Sequence, residues 1–292
     1  MTVGLIGFGE VGRLFAQALL PKVASVSAWD LKFVEPAAGR EARALGVHAA
    51  ASLADLCQRS QLVISAVTAS STLAVAREAA GYLSAGAFFL DLNSASPGTK
   101  QQAGALIEAA GGRYVEAGVM TSVPPHGIGV PMLIGGRHAA ALLPVLSALG
   151  MHASVVSERL GVASATKMCR SVMIKGLEAL VIESFVTARH HGVEDAMIAT
   201  LQETFPGIDW SAQGRYFFSR VAQHGQRRAE EMREAANTVR EAGFEPVMAA
   251  AIAEKHDWVA AQARSGVFND LPGKQPDWQL FADALLKARG PA

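Results

Sequence analysis

Cysteine is nearly absent. The 292 residues hold only Cys57 and Cys169, far apart and neither in a Cys-x-x-Cys pair. That excludes a disulfide scaffold and a thiolate zinc site, and it suits a reducing compartment, so a cytoplasmic location is expected. An excess of either charge is also missing, because 26 Lys and Arg face 26 Asp and Glu. Nucleic acid and anionic membrane surfaces select for basic patches, so neither is an expected partner. Charged residues make up 18% of the chain and hydrophobic ones 50%, which suits a buried core rather than disorder. The apolar N-terminus has no basic leader and glycines interrupt it, so neither a signal peptide nor a membrane helix is expected. No His, Asp or Glu spacing suggests a metal site, and none is expected.

Glycine, in contrast, is plentiful at 28 residues, and one group of three is organised. The apolar run Val3-Gly4-Leu5-Ile6 leads into Gly7-Phe8-Gly9-Glu10-Val11-Gly12, and Val11, Leu14, Phe15, Ala18 and Leu19 then recur at helical spacing up to Pro21. A strand, a Gly-x-Gly-x-x-Gly turn and a helix form the fingerprint of a dinucleotide site, with the pyrophosphate at the helix N-terminus. Gly7 permits the turn, Gly9 admits phosphate close to the backbone, and Gly12 lets helix approach strand. Phe8, Glu10 and Val11 line the same turn. The next strand, Val23 to Trp29, closes on Asp30, an acidic residue placed to accept bonds from the adenosine ribose hydroxyls. A 2′-phosphate would be repelled there, so NAD is expected over NADP. Lys32, two residues on, leaves NADP open, and an ordinary turn role for Asp30 is the alternative.

The alternation of strand and helix continues through Leu62–Val67, the Thr68-Ala69-Ser70-Ser71 helix entry, Ala87–Leu90, the loop Asp91-Leu92-Asn93-Ser94-Ala95-Ser96-Pro97, and Tyr114–Ala117. It runs on through a loop over 118–129, a strand at Pro131–Gly135, a helix at His138–Leu149 and a strand at His152–Val156. Thr68 and Asn93 stand at strand ends, where a doubly wound sheet binds its ligand. Beyond Ser157 the strand signals stop. Helices are expected over Val162–His191, Asp195–Glu203, Trp210–His224, Arg228–Ala242, Pro246–Ser265 and Asp277–Arg289. The fold class is therefore α/β, a doubly wound parallel Rossmann sheet (1–158) followed by an all-α domain (159–292) led by a long helix. More helical surface than one small domain can bury implies a homodimer.

On the long helix Lys167, Arg170, Ser171, Lys175 and Glu178 share one side. A lysine at its partly desolvated start is equipped to act as general acid or base, although a solvated charged stripe has the same spacing.

These motifs, in this order, resemble the β-hydroxyacid dehydrogenase family, which includes 3-hydroxyisobutyrate and 6-phosphogluconate dehydrogenases. Asp91-Leu92-Asn93-Ser94-x-x-Pro97 is similar to the family's D-x-S-T-x-x-P loop. Gly161-x-x-x-x-x-Lys167 is similar to its catalytic helix, and the resemblance implies that Lys167 is the general acid/base for a 3-hydroxy acid. Two departures concern the substrate. Glu116-Ala117-Gly118-Val119-Met120-Thr121-Ser122 replaces D-A-P-V-S-G-G, and Ser171 stands where Asn is usual. Ser94, Met120, Thr121, Ser122, Arg170 and Ser171 are the candidates for orienting a small, anionic substrate. A less characterised branch of the superfamily carries a second signature, here His224-Gly225-Gln226-Arg227-Arg228-Ala229-Glu230-Glu231-Met232. Arg228 or His224 is expected to hold an anionic group, a helix start rich in ion pairs being the alternative. Two rival readings stand beside the dehydrogenase. One is an imine reductase of the same architecture, whose members usually lack a lysine at this position; the other is a non-catalytic dinucleotide-binding sensor.

Overall fold

The computed structural model describes residues 1–273 and 275–289; residues 274 and 290–292, which the 159–292 reading includes, lie outside the described residues. The chain divides into two compact units, Met1–Cys169 and one beginning at Arg170.

Unit 1 contains β1 (Thr2–Ile6), α1 (Glu10–Leu19), β2 (Ser25–Trp29), α2 (Pro36–Ala44), β3 (His48–Ala49), α3 (Leu53–Arg59) and β4 (Leu62–Ser65). It continues through α4 (Thr72–Ala80), β5 (Phe88–Asp91), α5 (Pro97–Ala109), β6 (Arg113–Val119), β7 (Met132–Gly135), α6 (Ala139–Ala148) and β8 (Ala153–Ser157). The sheet order is β3-β2-β1-β4-β5-β6-β7-β8. Pairing is parallel except between β6 and β7. The central strands β1, β4, β5 and β6 are largely apolar because both faces are covered. One face packs Leu5, Ile64 and Val115 against Phe15 and Leu19 of α1 and Leu142 and Leu146 of α6. The other packs Ile6, Val63, Phe89 and Tyr114 against Leu53 and Leu56 of α3 and Ala103 and Ile107 of α5. Cys57 lies in this second layer, where burial pushes its thiol up to about 12, so it packs as a small apolar group. This is the doubly wound Rossmann sheet, with its order reversing between β1 and β4.

The loop expected over 118–129 is shorter than the pattern implied. β6 runs on to Val119 and pairs antiparallel with β7, Val119 opposite Met132.

α7 (Val162–His191) is a single 30-residue helix whose first two turns belong to unit 1. Its remainder, with α8 (Glu194–Thr204), α9 (Trp210–Glu241), α10 (Val247–Arg264) and α11 (Trp278–Arg289), makes unit 2 all-helical. The core there joins Ile182 and Phe185 of α7, Phe217, Phe218 and Val221 of α9, Val259 of α10 and Trp278 and Phe281 of α11. α9 corrects the expectation of two helices, Trp210–His224 and Arg228–Ala242. Gly225 does not break it; a Cβ there would lie 2.7 Å from the His256 carbonyl oxygen, so the glycine marks where α10 crosses α9. Among the described residues no helix is long and apolar enough to cross a membrane.

Candidate active site

One register row crosses the carboxyl edge of the sheet: Trp29, Ile6, Ser65, Asp91 and Glu116 are successive partners from β2 to β6. The polar groups at this edge build the site.

At the first strand end Gly7 takes φ +94, and a Cβ would sit 2.5 Å from the Ala66 carbonyl oxygen. A Cβ on Gly12 would lie 2.1 Å from the Gly7 oxygen, so the helix can approach only without a side chain. Gly9 differs, since a Cβ there would meet nothing within 4 Å. It caps α1 without a side-chain bond, and the first N–H groups of a helix have no intrahelical acceptor. An open position against free N–H groups and a positive dipole end fits a pyrophosphate. Phe8 is buried, edge-on to Phe33 at 5.7 Å, while Glu10 is exposed and Val11 half-buried.

Asp30 takes the turn role that stood as its alternative reading. Its carboxylate accepts from the backbone N–H of Phe8 at 2.7 Å and of Lys32 at 2.9 Å, capping the short 3₁₀ turn Leu31–Val34. It is thus a turn residue that is also tied to the glycine loop. Thr68 is exposed, its hydroxyl 3.1 Å from that of Ser71. Asn93, expected at the cofactor, bonds within the sheet edge. Its side chain is buried, accepts from Val67 N at 2.7 Å and donates to Ser65 Oγ at 3.0 Å, so it stitches β4 to the following loop.

Lys167, in the second turn of α7, donates to Ser94 Oγ at 2.5 Å. Both residues are half-buried. Gly118 lies against the same turn, its Cβ position 3.4 Å from Lys167 Cβ. Two residues further on, Met120 is half-buried with its N–H on the Pro131 carbonyl at 3.0 Å, Thr121 is exposed and Ser122 half-buried.

Four residues that the sequence reading assigned no role support this pair. Asp91 is fully buried and accepts from Lys100 Nζ at 2.8 Å, Tyr114 Oη at 2.7 Å and Asn93 N at 2.9 Å. Lys100 is likewise fully buried and also donates to the Asp91 carbonyl at 2.9 Å. Burial, then the Asp91 charge, holds the Tyr114 hydroxyl well above its ordinary range. The fourth is Glu116, whose carboxylate receives the N-terminus of α7. An acidic residue inside the otherwise apolar strand Tyr-Val-Glu-Ala-Gly-Val was the available signal. Nothing local marked Lys100.

In unit 2 the substrate candidates separate. Arg170 is exposed, and Ser171 is buried and accepts from Lys175 Nζ at 3.2 Å. Lys175 pairs with Glu231 at 2.8 Å. Arg228 is buried, donating from Nε to Glu178 Oε2 at 2.8 Å and from Nη2 to the other oxygen. That bidentate pair occupies the guanidinium expected to await a substrate anion. Burial raises the Glu178 carboxyl, with Arg228 opposing. His224 is half-buried on the same helix.

Residues 2–159 match the model described as the NAD binding domain of 6-phosphogluconate dehydrogenase. The chain belongs to the β-hydroxyacid dehydrogenase family. A second model, a domain of unknown function (DUF1932), matches residues 188–259 of this family member. An uncharacterized 28.5 kDa protein of Methanothermus fervidus is 30% identical over 255 residues, 85% of this chain and 94% of that protein. A conserved hypothetical protein of Sinorhizobium meliloti 1021 is 39% identical, with 98% of this chain and 96% of that one covered at a TM-score of 0.76. At lower identity the likeness is one of fold. The Mycobacterium tuberculosis 3-hydroxyisobutyrate dehydrogenase with L-serine is 16% identical, covering 97% and 98% at a TM-score of 0.73. The Myxococcus stipitatus imine reductase in complex with NADP+ is 20% identical, covering 98% and 100% at 0.54. As a β-hydroxyacid dehydrogenase family member, the protein carries an NAD-binding domain and stands among the oxidoreductases.

Proposed function

We propose that the protein oxidises a 3-hydroxy acid, or reduces the corresponding 3-keto compound, with a nicotinamide dinucleotide and with Lys167 as general acid/base. One observation carries the reading: Lys167 Nζ lies 2.5 Å from Ser94 Oγ, on the loop that leaves a central strand of the dinucleotide-binding sheet. A bound dinucleotide supplies hydride transfer at nicotinamide C4. Gly7, Gly9 and Gly12, with Phe8, Glu10 and Val11, would hold its pyrophosphate, and Asp30 its adenosine ribose, which favours NAD. Thr68 and Asn93 border that region, Asn93 by fixing the loop. In the oxidation direction Lys167 takes the substrate hydroxyl proton, and in reduction it returns it. Ser94 aligns the lysine amine and the substrate oxygen.

The substrate-orienting residues proposed in unit 1 are Ser94, Met120, Thr121 and Ser122, and those proposed in unit 2 are Arg170 and Ser171. Arg228 joins them only if a ligand displaces its Glu178 pair. The proposed assembly is a homodimer acting in the cytoplasm on a small anionic molecule, with neither nucleic acid nor membrane as partner.

The test is a panel of 3-hydroxy acids with NAD and with NADP, on wild type and Lys167→Ala. The variant is expected to bind NADH normally and to lose about 100-fold to 10,000-fold in kcat, the usual contribution of a positioned acid or base. Wild-type turnover by the variant would remove Lys167 from the chemistry. Reduction of cyclic imines unaffected by Lys167→Met would replace the reading with an imine reductase. Tight NADH binding without turnover of any panel member would favour a sensor.

A further inference from the structure

We propose that Glu116 is the positioning residue for Lys167, fixing the start of α7 and supplying the negative charge against which the lysine amine titrates. The inference rests on the reading of Lys167 as acid/base. Glu116 is fully buried in β6 and spends both oxygens on one helix start. Oε1 accepts from Gly161 N at 2.8 Å and Ala163 N at 3.1 Å. Oε2 accepts from Ser164 N at 3.3 Å and Ser164 Oγ at 2.7 Å. Four bonds from the first turn to one rigid strand residue set the position and rotation of the second turn, where Lys167 stands.

The surroundings are shaped to admit this carboxylate. A Cβ on Gly135 would lie 2.7 Å from Glu116 Oε1. Gly118, two residues along β6, lies close against the same helix start, with Ala163 O at 3.0 Å from its Cβ position. Gly161 takes φ +101 to aim the N–H groups. A helix start needs no charge for capping, since Ser, Thr or Asn suffices. A buried carboxylate is costly unless such donors meet it, and here four do. α7 presents the positive end of a 30-residue dipole here, and long helical side chains lean back toward the N-terminus. Glu116 offsets that end and favours the ammonium form beside it. On the neighbouring strand Asp91 is matched by Lys100 at 2.8 Å, with the Tyr114 hydroxyl beside it. On the amine, Ser94 Oγ is a neutral acceptor.

The experiment uses the full chain as wild type, Glu116→Gln, Glu116→Asp and Lys167→Ala. Three quantities are measured: kcat on the best panel substrate, NADH affinity by fluorescence titration, and the pH dependence of Lys167 modification by an amine reagent, read by mass spectrometry. Glu116→Gln keeps the shape and removes the charge. It is expected to lose about 10-fold to 100-fold in kcat. Its half-modification pH should fall, because the charge favouring the ammonium is gone. NADH affinity should stay within about two-fold, since the glycine turn is untouched. Glu116→Asp keeps the charge and shortens the reach, so kcat falls while the modification pH stays, and this variant carries the test if the glutamine form does not fold. Wild-type kcat and wild-type modification pH in Glu116→Gln, or wild-type kcat in Glu116→Asp, with Lys167→Ala inactive, would reduce Glu116 to a structural staple. Normal turnover by Lys167→Ala would overturn the functional reading, and this inference with it.

Discussion

Asp91 and Glu116 are register partners on the adjacent parallel strands β5 and β6, and both carboxylates are fully buried. Two like charges side by side in a dry sheet edge must each be compensated. They are compensated differently. Asp91 takes a lysine, a tyrosine hydroxyl and the N–H of Asn93, which holds the loop carrying Ser94. Glu116 takes the first turn of α7, which carries Lys167. The two members of the 2.5 Å Lys167–Ser94 pair are thus anchored to neighbouring points of one strand pair.

Lys100→Met would leave Asp91 buried without its cation. Breaking a buried pair from one side costs about 3–5 kcal/mol, so the urea midpoint of the N-terminal unit should fall sharply. The lysine also holds the Asp91 carbonyl, so activity should drop under conditions where the variant remains folded. A midpoint equal to wild type would show that the pair carries no such weight.

Two glycines of one motif should fail in opposite ways. Gly12→Ala forces a Cβ to 2.1 Å from the Gly7 oxygen and should destabilise the fold. Gly9→Ala places its methyl in open space, so thermal stability should change little while dinucleotide affinity drops by about 10-fold or more, roughly 1.4 kcal/mol. Normal NADH binding by folded Gly9→Ala would mean that no phosphate comes close there.

Asp30→Ala removes the acceptor proposed for the ribose hydroxyls and the tie to Phe8 N. The ratio of kcat/KM with NAD to that with NADP should fall, chiefly through gain with NADP as repulsion is relieved. An unchanged ratio would leave Asp30 as a loop anchor alone.

His256 should govern part of the acid stability of unit 2. Its ring is fully buried, and among the described residues neither nitrogen has a hydrogen-bond partner. Burial, then the Arg228 and Lys175 charges, pushes it down to about 3, with Glu231 opposing; Glu178 Oε2 lies 3.7 Å from Nε2. The unfolded chain therefore binds this proton first. Stability from the neutral ring is present above the ordinary histidine range and drains as pH falls from there toward about 3. Glu178, raised by burial, works in the opposite sense. His256→Leu should flatten the acid limb of a denaturation-versus-pH series, and an unaltered limb would count against the neutral buried ring.

Local patterns were legible. The Gly7–Gly12 turn, the strands and the all-helical second half follow from spacings within a few residues, which backbone sterics and side-chain period decide. The two-helix reading of α9 failed because Gly225 has two meanings, breaker or close approach, and only the position of the α10 backbone selects between them. Arg228 and Asn93 read as ligand-binding types because their chemistry suits ligands, yet the folded chain supplies each with a protein partner first.

By itself the sequence determined the fold class, the dinucleotide turn and the family, because each is written in short-range pattern or in ordered motifs. Tertiary structure decided which polar groups meet. Ser94 and Lys167 are 73 positions apart, Glu116 and Gly161 are 45, and Arg228 and Glu178 are 50. A buried donor or acceptor must find a partner wherever the folded chain provides one, and that requirement carries no period along the sequence.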